Sequence, residues 1–263
     1  MVVYDTNMVF VRHPARLLFL MMVCFLCGSA VSAEPAAFTS DQEFGSWLAG
    51  YYRHPDAGKI PAALRYYCDT PLFDNVNNRM PIASFFAALF RTDAVLTEKV
   101  YRGIDAGGSD NEKVFMSHIL WLADTAKSRQ LLGQIDGAWK SEAVQQIRER
   151  MRGKAPRDVM TASVEDPSHV DKLWLTFFAT GDGSLVRKVI SLLHLQQEGQ
   201  GLQVMLGGAA RSSLTSNAYQ HEKVFQICRE ELKRSKGATR ESLEQVIQDV
   251  ERQKEAEKNR KKQ

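Results

Sequence analysis

The chain is short of the residues from which reactive centres are usually built. Its 263 residues hold only four cysteines and six histidines. No histidine stands in a His-Glu-x-x-His pattern or close to a cysteine pair, so the local signatures of zinc sites are missing. There is no Gly-x-Ser-x-Gly elbow, and beyond residue 33 there is no Ser-x-x-Lys; those nucleophile designs are excluded. Ser109-Asp110-Asn111 spells one motif of the penicillin-recognising enzymes, but without its companions it reads as the start of a helix. The formal net charge of +3 is too small for the dense basic face of a nucleic-acid binder. Alternation of the β type is nearly absent. The one unbroken apolar run, Leu17 to Cys27, is shorter than the roughly 20 residues that span a bilayer.

That run is instead the centre of a leader. Arg12 and Arg16 precede it, and Gly28-Ser29-Ala30-Val31-Ser32-Ala33 follows with small residues where signal peptidase reads. The pattern predicts a signal peptide over 1–33, cleaved after Ala33, and hence export, with the periplasm or secretion as destination. A retained amphiphilic anchor is the alternative. Met8 serves as a start as well as Met1, because everything the leader needs comes after it. Val23 and Leu26 occupy positions where a lipobox wants a small residue, which argues against lipidation at Cys24 or Cys27. Cleavage lowers the formal charge to +2, adds no integral membrane segment to the mature chain, and leaves two cysteines, Cys68 and Cys228. In an oxidising compartment these could pair; their positions near opposite ends of an extended array predict two unpaired, buried thiols.

With 44% apolar and 25% charged residues the chain has the composition of a globular protein. From Ser40 onward it carries the helical period. Ser40 with Glu43 and Ser109 with Glu112 have capping-box spacing, and Asp166-Pro167 places a cap residue before proline at a first helical position. Tyr51 to Tyr67 and Phe177 to Leu193 align without a gap. Aromatic pair then falls on aromatic pair, Asp56 on Asp182, and Ile60, Ala63, Leu64 and Tyr67 on Val186, Val189, Ile190 and Leu193. Looser echoes run over Phe85 to Val100 and Ile119 to Leu132. Each unit is an aromatic-rich helix broken by glycine or proline, after which Asp caps the next helix.

Such a hairpin cannot bury its apolar face alone, so copies stack. The expectation is an all-α fold, a degenerate αα-hairpin array of tetratricopeptide- or HEAT-like architecture without the consensus of either. Gly181-Asp182-Gly183-Ser184 is then a turn capped by Asp182, not a phosphate loop: no buried strand precedes it and no Lys-Ser follows. No cofactor is expected. Predicted boundaries are N-terminal hairpins over 34–152, a connecting loop over 153–166, C-terminal hairpins over 167–238, and a charged helix and tail over 239–263, with Leu243, Val246, Ile247 and Val250 on one face.

One stretch resists a purely structural reading. In Gly201 to Cys228 an apolar stripe of Leu202, Met205, Leu206 and Ala209 is prolonged by Ser213, Asn217 and His221. Unpaired polar groups on a buried stripe cost about 1 to 3 kcal/mol each. They must therefore meet carbonyls at a helix junction, or line a ligand groove with Arg211 at its rim. "DKLWLTFFATGDGSLVRKVISLL" and "AARSSLTSNAYQHEKVFQIC" resemble a group of small exported all-helical bacterial proteins with no established activity. Members share a Trp-then-Phe-Phe-Ala-Thr-Gly-Asp signature and a later Asn-x-x-Gln-His stretch, and are expected to carry Trp where this chain has Ser212 or Ser213. The resemblance implies export and an α-fold and assigns no catalytic residue.

The predicted function is capture of a protein or peptide partner in the cell envelope, a scaffold or adaptor role, by aromatics such as Tyr51, Tyr52, Tyr66 and Tyr67. The alternatives are an envelope-polymer hydrolase and a secretion or toxin-neutralising accessory protein. Converging carboxylates in a deep pocket would favour the hydrolase; an aromatic-lined groove would favour the binder.

Overall fold

The computed structural model describes residues 38–164 and 167–262, and all regular structure among them is helical. The predicted leader and the predicted Asp166 cap lie outside the described residues. Helix starts follow local chemistry. Ser40 Oγ accepts from the Glu43 amide ahead of α1 (Asp41–Gly50), and Ser109 and Glu112 form a complete reciprocal box. Asp182 Oδ1 accepts from the Ser184 amide at 2.9 Å. Asp56 behaves differently. It precedes a single 3-10 turn, Ala57–Lys59, and makes no capping bond before α2 (Ile60–Asp69) begins.

The next five helices are α3 (Val76–Thr92), α4 (Ala94–Gly107), α5 (Asp110–Ala123), α6 (Ala126–Ala138) and α7 (Glu142–Met151). They pack in alternation: α3 on α5 and α5 on α7, with α4 on α6. The order then breaks. Residues 152–164 form no helix and lead to α8 (Pro167–Thr180), whose most extensive partner is α3. From there α9 (Gly183–Ile190), the short α10 (Leu195–Glu198), α11 (Leu202–Gln220), α12 (Glu222–Leu232) and α13 (Gly237–Arg260) carry the chain onward, α11 meeting α8 and α13. The helices therefore succeed one another in space as α7, α5, α3, α8, α11, α13. The chain enters this row in the middle, runs to one end, and returns through 152–164 to build the other. Residues from Phe38 onward form one compact unit.

Aromatic rings hold the centre. Phe85, Phe86 and Phe90 of α3 and Phe177 of α8 are all but fully buried, each contributing about 1.5 to 3 kcal/mol by loss of water contact. Tyr52 packs at a tilt against Phe177 with ring centroids 4.9 Å apart. Of the four tyrosines expected to capture a partner, Tyr51 and Tyr67 are buried and Tyr52 and Tyr66 half-buried. They are mortar between helices, and no exposed aromatic row exists among them. Ile60, Ala63, Leu64 and Tyr67 are buried, as are Val186, Val189, Ile190 and Leu193, so the two aligned segments do bury the same face. Cys68 and Cys228 are unpaired and buried; burial pushes both thiols up, Cys228 to about 12, which removes them as nucleophiles.

Of the expected stripe, helix α11 buries Leu206, half-buries Ala209 and exposes Leu202 and Met205. Leu202 is 48% and Met205 62% exposed, and the buried positions are Leu206, Gly207, Ala210, Leu214 and Ala218. The smallest side chains orient this helix. A Cβ on Gly207 would lie 2.2 Å from the backbone nitrogen of Gln196, so α10 touches α11 backbone to backbone. That approach turns Met205 to solvent and leaves Leu202 in the exposed first turn.

Candidate functional site

The polar residues singled out on α11 do not converge. Ser213 Oγ donates to Ala209 O at 2.7 Å and Asn217 Nδ2 to Ser213 O at 2.9 Å, so both are satisfied one turn back along their own helix. Arg211 lies 3.6 Å from Asp249 of α13 beside an open polar groove. His221 follows α11 and is 1% exposed. Its Nδ1 lies 3.2 Å from the Tyr52 hydroxyl and its ring packs on Phe178 at 5.2 Å, while Nε2 has no partner. Burial lowers its pKa from the ordinary 6.5 to about 4. It serves as a neutral core histidine joining the first helices to the last.

A different place has the form of a site. Because α5 and α8 both pack on α3, a cleft opens between them, and the returning segment crosses above it. Trp121 Nε1 of α5 donates to Lys154 O at 3.0 Å, and His169 Nε2 of α8 lies 3.0 Å from Val159 O, so the crossing is tied to both walls. The volume of this open cleft is about 510 Å³, within the usual range of ligand pockets. Helix α3 presents Met80, Ser84, Ala87 and Arg91, α8 presents His169, Lys172 and Thr176, and the crossing adds Lys154, Ala155, Arg157 and Val159.

The lining is apolar and cationic. No carboxylate occurs among its described residues. Arg91 donates to the Leu122 and Ala123 carbonyls at the end of α5 and has no carboxylate partner among the described residues. Lys154 and Lys172 enter no ion pair with described residues. Thr176 is 6% exposed, and its Oγ1 finds no hydrogen-bond partner. On the other side of the α3–α8 pair a shallower apolar depression of about 420 Å³ includes Asp41 and Asp171, but Asp41 already accepts from Tyr66 Oη at 2.7 Å. Among the described residues no group of three His, Cys, Asp or Glu side chains is placed to hold a metal ion, and no helix is long and apolar enough to cross a membrane.

The cleft escaped the sequence reading, although a signal existed. Met80, Ser84, Ala87 and Arg91 recur at intervals of four, three and four on an otherwise apolar helix, and His169, Lys172 and Thr176 at three and four. Each set is one helical face, interrupted by groups that a core would exclude. Comparison with protein-family models, curated proteins and solved structures finds no match to this chain.

Proposed function

We propose that this is an exported helical scaffold or adaptor that binds a protein or peptide partner in the cell envelope, and that the cleft between α3, α5 and α8 is its binding surface. The leader over 1–33 supports export. The alternating packing of α3 to α7 supports a degenerate αα-hairpin architecture, whose helices commonly present concave binding surfaces. The resemblance to small exported helical proteins agrees with both.

One observation carries the reading: a cleft of about 510 Å³ between three helices holds cations, a tryptophan and, among its described residues, no carboxylate. Recognition needs an apolar floor with a few placed polar groups, whereas glycoside cleavage needs two facing acids. The test is affinity capture by the mature protein from envelope extract, run in parallel with Trp121→Ala, with thermal melting to confirm that both are folded. A partner retained by the wild type and lost by the variant is expected. Equal recovery by the two would remove the cleft from this role, and no specific partner for the wild type would remove the adaptor reading.

A further inference from the structure

The cleft has a direction as well as a charge. Its α3 wall runs from Met80 to Arg91, three turns of helix and about 16 Å at 1.5 Å per residue. That length matches about five residues of extended chain, and it is long for a compact small molecule. The walls offer apolar contact through Met80, Ala87 and Trp121, while cations without an ion pair to any described residue come from three separate elements, Arg91 on α3, Lys154 on the crossing and Lys172 on α8. Charges of one sign attract the opposite sign and repel their own, an attraction that salt screens because Arg91 and Lys154 are solvent-exposed. Thr176 belongs to the α8 wall, with its Oγ1 buried and without a hydrogen-bond partner among the described residues.

We infer that the cleft selects an acidic, extended peptide segment of about five residues in which carboxylates alternate with apolar side chains. The inference rests on the cleft being the binding surface and adds the chemistry of what enters it. An extended chain sends successive side chains to opposite sides, so one set reaches the apolar wall residues Trp121 and Met80 while the other reaches the cations. The neutral, half-exposed surface of an ordinary helix would not discriminate in this way.

The experiment is fluorescence anisotropy on the mature protein with labelled Glu-Leu-Glu-Leu-Glu, against Lys-Leu-Lys-Leu-Lys as the charge-reversed probe. The acidic peptide should bind and the basic one should not. Lys154→Glu/Lys172→Glu should weaken acidic-peptide binding at least about tenfold, and added salt should weaken it in the wild type. Lys154→Gln/Lys172→Gln, with circular dichroism to confirm folding, covers failure of the charge-reversed variant to fold. Acidic-peptide binding unchanged in the double variants would place it on the basic tail at 258–262 and overturn the inference, as would equal binding of the basic peptide or no binding of the acidic one. Binding of phosphatidylglycerol vesicles or oligothymidylate, abolished by the same charge changes while the peptide stays unbound, would also overturn it, in favour of phosphate recognition. Failure here leaves the adaptor reading separately testable: a captured partner lost with Trp121→Ala but kept by the double variants retains the cleft and discards its charge preference.

Discussion

His221 shows how a single side chain records the fold. It is buried between Tyr52 and Phe178, with one ring nitrogen unpartnered among the described residues. Burial lowers its pKa from 6.5 to about 4, and His118, half-buried in α5 with Nδ1 at 3.2 Å from Val114 O, shifts by the same cause to about 4. The unfolded chain takes up these protons near pH 6.5, the folded chain only near 4. Their effect on stability is therefore absent above 6.5 and grows as a loss of stability while pH falls from 6.5 to about 4. Urea midpoints measured across that window should fall with pH, and His221→Phe should flatten the slope relative to wild type while His118 preserves the remainder. Identical slopes for the two proteins would show that His221 is protonated in the folded state. Little of this was legible beforehand. Asp182 could be read as a cap because its partner, the amide of Ser184, is two residues away; the state of His221 depends on Tyr52, far earlier in the chain.

At the scale of the element, legibility follows how far a helix depends on its own pattern. Helices α2 and α9 bury the faces their periodicity marks, and α13 buries Leu243, Val246, Ile247 and Val250 as expected. Helix α11 does so only in part, because Gly207 seats it against α10 and overrides the larger residues. A sequence pattern weighs side-chain size, and here the determinant is a missing side chain. Two neighbouring glycines separate the effects. Gly207→Ala drives a methyl into the backbone of Gln196 and should cost about 1 to 3 kcal/mol or more. A Cβ on Gly208 meets nothing within 4 Å, so Gly208→Ala should stabilise by about 0.4 to 1 kcal/mol through reduced freedom of the unfolded chain. Equilibrium denaturation of the pair checks both signs; similar effects would mean that α10 does not approach as described.

For the whole molecule, the decisive contact is α3 against α8. Read in chain order, the helices suggest a line built from one end, and nothing local announces that 152–164 turns back to the middle. The lapse of periodicity there marked a boundary, but the destination of the next helix depends on which apolar face remains open. A linear array would let its first portion fold alone. Here a fragment of residues 38–152 lacks the partner of α3 and should show no cooperative unfolding transition, whereas the chain 38–262 should show a single one, by circular dichroism and tryptophan fluorescence. Cooperative melting of the fragment would mean that the first helices close their own core.

The position of α3 also sets a waiting time at birth. At roughly 5 to 20 residues per second, Pro167 leaves the ribosome about 4 to 15 seconds after Thr92. Throughout that interval one flank of the phenylalanine-rich helix has nothing of its own chain to lie against, so the nascent polypeptide depends on a holding factor until α8 emerges, or on staying unfolded until synthesis ends.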